Sequence, residues 1–152
     1  MPESCQFDSR AVAAYIAQEC SNRDLEYNNT KIQKLLYCSY GIMLAWKNIR
    51  ICDEYPRFWP FGPVFPKVFK YINKGREIAT YSYDFANLAN EDQKTVVFKT
   101  LERYGHYKAT DLSKWSHNPD SPWARVKAEG ASWNSFMPDE YIRDYFKEYV
   151  VA

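Results

Sequence analysis

Two histidines, four cysteines and the one adjacent pair of carboxylates beside the aromatic loop are the side chains here with an obvious capacity for chemistry. His106 and His117 are separated by a stretch in which Gly105 and Thr110 mark a turn. Both rings therefore cannot share one helix face, and a metal or acid–base pair would have to be assembled through space. Ser113 and Ser116 lie near His117, but adjacency in sequence does not bring a hydroxyl onto an imidazole. Neither GxSxG nor HExxH is present, and the glycines are too scattered for a phosphate-cradling loop. Cys5, Cys20, Cys38 and Cys52 include no CxxC pair, so they read as reduced, mostly buried thiols rather than a zinc site or a disulfide frame. Asp53-Glu54 reads as a solvated loop pair. The expectation is a protein that is not an enzyme, with no catalytic residue, no metal and no cofactor.

Charge is more informative by position than in total. The 152 residues carry 20 Lys+Arg against 19 Asp+Glu, a net charge of +1. Such a balance does not announce a nucleic-acid or membrane partner. Residues 47–76, however, hold Lys47, Arg50, Arg57, Lys67, Lys70, Lys74 and Arg76 against Asp53 and Glu54, seven minus two, or +5. Tyr55, Phe58, Trp59 and Phe61 are interleaved with them. Aromatic and basic residues together can stack and neutralise a single-stranded nucleic acid, form the hot spot of a protein interface, or fill the core with the lysines left in solvent. All three readings stay open from the residues alone. As partner-binding candidates the segment offers Tyr55, Arg57, Phe58, Trp59 and Phe61.

These residues must be held by helices. Aromatics make up 18% of the chain, too rich for a disordered segment. No apolar run approaches the length needed to cross a bilayer, and the N-terminus lacks a basic-then-apolar leader. The reading is a cytoplasmic protein without a membrane partner. Asp8 caps a first helix to about Ser21. Thr30 and Gln33 form a T-x-x-Q capping box for a second helix ending near Lys47. Its stripe runs Ile32, Leu35, Leu36, Tyr40, Met43, Leu44, with Lys31, Lys34 and Lys47 off the stripe. Residues 49–52 suggest a short strand. Gly62-Pro63 reads as a turn opening a third helix to Asn73, its inner face Val64, Val68, Phe69 and Ile72. Residues 77–87 read as loop. Asn90 and Gln93 box a fourth helix to Gly105, Thr110 caps a fifth to about His117, Ser121-Pro122 starts a sixth, and Pro138 starts the last. The sum is an all-α single domain of six or seven helices over 1–152, with room for one short strand pair.

Three stretches resemble the Panacea domain family. Thr30-Lys31-Ile32-Gln33-Lys34-Leu35-Leu36-Tyr37 is similar to its "TKLQKLLY" helix. Trp59-Pro60-Phe61-Gly62-Pro63-Val64-Phe65-Pro66-Lys67-Val68-Phe69 is similar to its "AWxYGPVxPxVY" segment. Tyr104-Gly105, then Leu112, His117 and Pro122-Trp123, is similar to its "YG…EL…TH…PW" tail. Pro60 and Phe61 depart from the family pattern, so the loop before Gly62-Pro63 differs. The family includes SocA-type antitoxins and phage-associated proteins. The resemblance implies a small, mostly helical cytoplasmic domain that neutralises a co-encoded toxin by direct contact. It also implies, for the SocA type, an adaptor that hands the toxin to the ClpXP protease. A phage accessory protein binding a host factor is the alternative within the binding class, and a nucleic-acid module using residues 47–76 is the alternative outside it. The motif residues themselves have structural readings: caps at Thr30 and Gln33, a helix start at Gly62-Pro63, a first-turn proline at Pro122, packing by Trp123, and His117 as a cation closing a helix C-terminus.

Overall fold

The computed structural model describes residues 7–151; Cys5, one of the four thiols discussed above, lies outside them. One helix organises the rest. Helix α2 (Asn29–Lys47) is buried on every side from Lys31 to Leu44. It touches α1 (Ser9–Asn22), α3 (Pro66–Asn73), α5 (Glu91–Tyr104), α6 (Ala109–Ser116) and α8 (Asp139–Tyr149). Two further helices, α4 (Asp84–Leu88) and α7 (Pro122–Ala128), complete a mostly helical chain with eight helices among the described residues, one more than the upper expectation. The extra one is α4, in the stretch read as loop. Its five residues carry too little periodicity to signal a helix. A two-stranded hairpin, β1 (Arg57–Trp59) and β2 (Gly62–Val64), is the one regular sheet among the described residues.

A helix buried all round must satisfy its polar side chains internally. Lys31 donates to the carbonyls of Glu26 (2.8 Å) and Gly105 (2.6 Å), clasping the C-terminus of α5. Lys34 donates to Pro63 O at 3.1 Å. Ser39 shares a hydrogen bond with Thr100 on α5 at 2.9 Å. Lys31 and Lys34 therefore lie off the apolar stripe without facing solvent, while Lys47 is exposed. Where α2 crosses α8, Gly41 removes the side chain that would otherwise fall inside the Phe146 ring.

Gln33 corrects the capping box. The N-cap of α2 is Asn28, whose side chain accepts from Lys31 N at 2.9 Å. Gln33 instead spans both main-chain groups of buried Phe65: Phe65 N donates to its Oε1 (2.8 Å), and its Nε2 donates to Phe65 O (3.1 Å). Other starts shift too. Helix α3 begins at Pro66, because Gly62, Pro63 and Val64 are strand. Its buried residues are Val68 and Ile72, while Phe69 is largely exposed. Lys108, not Thr110, is the N-cap of α6, and of residues 49–52 Ile49 alone makes a β-bridge, so that no strand forms there among the described residues. The Asn90/Gln93 box on α5 and the Ser121 cap with Pro122 at the start of α7 form as their sequences imply.

Candidate functional site

The hairpin carries the candidate residues, and its geometry sorts them. Arg57 pairs with Val64, Phe58 with Pro63 and Trp59 with Gly62, antiparallel, around a turn at Pro60-Phe61. Gly62 has φ +111°, a conformation that a side chain resists. A Cβ there would also lie 2.7 Å from Ser116 Oγ and 2.9 Å from Lys34 Nζ, so the hairpin main chain rests directly on α2 and α6. On its free edge β1 is continued by the loop between α7 and α8. Phe58 N donates to Ser135 O (2.8 Å), Asn134 N to Phe58 O (2.8 Å), and Met137 N to Pro56 O (3.0 Å). Asn134 also accepts from Trp59 Nε1 at 2.9 Å and from Arg57 Nη1 at 3.0 Å.

Alternation along β1 turns Arg57 and Trp59 to one face and Phe58 to the other. Phe58 packs inward on Trp123, ring centroids 5.2 Å apart, which removes it from the surface set. Trp59 stacks on Trp133 (5.4 Å, 25° between planes) and meets Phe69 edge-on at 5.0 Å. Phe61, at the turn, is 76% exposed, and Trp133 is 63% exposed. Arg57 lies 4.0 Å over Phe136, and Tyr55 meets the same ring at 5.2 Å. The result is an aromatic face built of two clusters, Trp59 with Phe69 and Trp133, and Arg57 with Tyr55 and Phe136, tied together by Asn134, with Phe61 at the turn beside the first. Phe69, Trp133 and Phe136 are not among the partner-binding candidates of the sequence. Phe69 has the spacing of an inner-face residue. Trp133 and Phe136 sit in an aperiodic loop, and exposed aromatics in a loop were the only local signal.

Behind Trp59 and Phe61 the face opens into a groove of about 160 Å³ between the hairpin, α2 and α3. Thr30, Gln33, Lys34, Phe69 and Ile72 contribute to its walls. Lys34 is buried, and burial pulls its ammonium down to about 8. His117 is the C-cap of α6. Burial, and then the charge of Lys34, lower its pKa below 6.5, so it is a neutral imidazole at pH 7 rather than the dipole-capping cation expected. Its ring stands edge-on to Trp123 at 4.3 Å, and Trp123 Nε1 donates to Trp59 O at 2.8 Å. Leu35 and Tyr37 are core, and Val64 is buried on β2. Gln33, Lys34, Gly62, Pro63, Val64, His117 and Trp123 thus meet on the underside of the hairpin, with Thr30 at the groove's rim. Lys31 acts elsewhere, at the C-terminus of α5, and Pro122 begins the helix that supplies Trp123.

The other chemical candidates disperse. His106 is exposed. Among the described residues no group of three or more His, Cys, Asp or Glu is placed to hold a metal ion. Asp53 and Glu54 are engaged, not merely solvated: Ser9 N donates to Asp53 Oδ1 (3.0 Å), Ser9 Oγ to Glu54 Oε1 (2.8 Å), and Lys67 N to Glu54 Oε2 (2.9 Å). The +5 segment is offset in space by acids from elsewhere. Lys67 reaches Asp8 (3.1 Å) as well as Asp53 (2.8 Å), Lys47 reaches Asp92 (3.7 Å), and Arg50 reaches Asp139 (3.9 Å). No helix among the described residues is long and apolar enough to cross a membrane.

The family model described as "Antitoxin SocA-like, Panacea domain" matches residues 32–124, from α2 through the hairpin into α7. The chain belongs to this family. It is also similar to the Antitoxin SocA of Caulobacter vibrioides (strain NA1000 / CB15N), 28% identical over 156 residues, which is 92% of this chain and 82% of that protein. No solved structure matches significantly. The Panacea match encloses the hairpin and its seat; Trp133 and Phe136 lie beyond it.

Proposed function

We propose that this Panacea protein is an antitoxin that neutralises a co-encoded toxin by direct protein–protein contact through the aromatic face of the hairpin. The observation that carries the reading is the exposed Phe61, Phe69 and Trp133 around a half-buried Trp59, on a backbone pinned from three sides. Trp, Tyr and Arg are enriched at interface hot spots, Phe adds a large apolar area, and a rigid presentation lowers the ordering cost of binding. A stable complex buries on the order of 1,600 Å², so this face is its centre and the rim lies on α3 and the 131–137 loop. On this reading the protein acts in the cytoplasm, and the bound toxin is either held inactive or passed to a protease of the ClpXP type. A pulse-chase of the toxin with and without that protease separates the two.

The test is co-purification of the tagged protein with the product of its neighbouring gene, then the same with Phe61→Ala plus Trp133→Ala. Wild type should retain the neighbour in stoichiometric amount and the variant should lose it with its helical signal intact. Capture of a host protein instead supports the phage-accessory role, and no capture removes the reading. Nucleic acid is the weaker partner, because Lys47, Arg50 and Lys67 already face carboxylates.

A further inference from the structure

Lys34 is out of keeping with its position. Its side chain is 2% exposed and lines the groove, yet among the described residues no carboxylate pairs with it. An ammonium has three N–H donors, and among the described residues Lys34 makes a single hydrogen bond, to Pro63 O. A buried cation without a counter-charge is costly, and desolvation already depresses its pKa. The groove around it has aromatic walls from Trp59, Phe61 and Phe69 and an aliphatic wall from Ile72. Thr30, one helical turn from Lys34, belongs to the first turn of α2, where the helix dipole also favours an anion.

The volume limits what fits. A cavity of about 150 Å³ holds a benzene-sized group, and this groove measures about 160 Å³. That is room for one apolar side chain. The missing charge is one carboxylate. An internal Asp or Glu supplies the charge but not the apolar group, and an internal Leu or Phe supplies the reverse. The last residue of a polypeptide supplies both, since its α-carboxylate and its side chain leave the same Cα.

We propose that the groove seats the C-terminal residue of a partner polypeptide, with an apolar side chain between Trp59, Phe61 and Phe69 and the terminal carboxylate on the Lys34 ammonium. The rest of the partner then runs out over Trp133 and Phe136. This rests on the toxin-binding reading for the partner's identity, but the groove's chemistry can be probed without it.

The experiment titrates N-acetyl-leucine and N-acetyl-leucinamide into the isotope-labelled full chain, followed by NMR. The acid should bind at least about tenfold more tightly than the amide, the worth of one charge-assisted hydrogen bond. Its shifts should centre on Gly62, Val64 and Ile72. Lys34→Gln should abolish the preference and Lys34→Arg should keep part of it. Equal affinities, or shifts elsewhere, overturn the proposal even if the Lys34 variants fail to fold, because that comparison uses wild type. A second arm removes the last residue of the neighbour-encoded protein. Full binding of the shortened protein overturns the polypeptide source: with the acid preference present, the groove is a site for a small apolar acid. In either case the toxin reading survives. No binding of the intact neighbour, with the acid preference present, overturns the toxin reading while the groove's chemistry stands.

Discussion

Replacing Gln33 with alanine tests the seat of the hairpin. The side chain is 6% exposed and satisfies both main-chain groups of Phe65, itself fully buried. Truncation orphans one N–H and one C=O, at about 1–3 kcal/mol each. The expected loss is roughly 2–6 kcal/mol, against a total stability of about 5–15 kcal/mol. For a chain of this length it lowers Tm by on the order of 5–15 °C. Thr30→Ala should cost less than about 0.5 kcal/mol, since Thr30 is exposed and Asn28 is the cap. Asn28→Ala should cost about 1 kcal/mol. Urea unfolding followed by circular dichroism gives all three. A Gln33→Ala loss below about 0.5 kcal/mol, with Thr30→Ala as costly as Asn28→Ala, would restore the capping box and refute the seat.

Gly41→Ala places a methyl group where the Phe146 ring lies, so α2 and α8 must separate. It should cost about 1–3 kcal/mol in urea unfolding, and a neutral result would mean the two helices slide freely. Asp8 gives a pH test. Burial works to raise its pKa, but the Arg10 guanidinium, the Arg10 backbone N–H and the Lys67 ammonium outweigh it and hold it down to about 2, against 3.8 when unfolded. A lowered folded pKa means stability that is complete above 3.8 and lost as pH falls through about 2. Asp8→Asn keeps the cap and removes the charge. The wild-type advantage over Asp8→Asn should therefore be present at neutral pH and shrink across that window. An advantage that grows on acidification contradicts the network. Oligo(dT) should show no tight, steeply salt-dependent complex by fluorescence anisotropy, since Lys47, Arg50 and Lys67, three of the seven cations of the basic segment, are ion-paired within the fold.

Much of the fold is legible in the chain because local signals and packing agree. The Asn90/Gln93 box, the Ser121-Pro122 start and the stripe of α2 all combine a cap or a period with a buried face. The failures arise where a long-range partner outbids a local one. Thr30-x-x-Gln33 has a capping-box spacing, but Gln33 is taken by Phe65, thirty-two residues away. Gly62-Pro63 resembles a helix start, but Lys34 and Trp123 hold that segment as strand and turn. The +5 of residues 47–76 was a true count and a poor guide, because Asp8, Asp92 and Asp139 return in space. Of the aromatic face, Tyr55, Arg57, Trp59 and Phe61 were visible in the interleaving of aromatic and basic residues over 47–76. Trp133 was not, since its stacking partner lies in another part of the chain.

The most direct test of the account is a growth assay. The product of the neighbouring gene is expressed alone, with the wild-type protein, and with the Phe61→Ala/Trp133→Ala variant, whose fold is checked by circular dichroism. The account predicts that the neighbour alone stops growth, wild type restores it, and the folded double variant does not. Full rescue by the folded variant would contradict the aromatic face as the binding surface, and a harmless neighbour would contradict the antitoxin role itself.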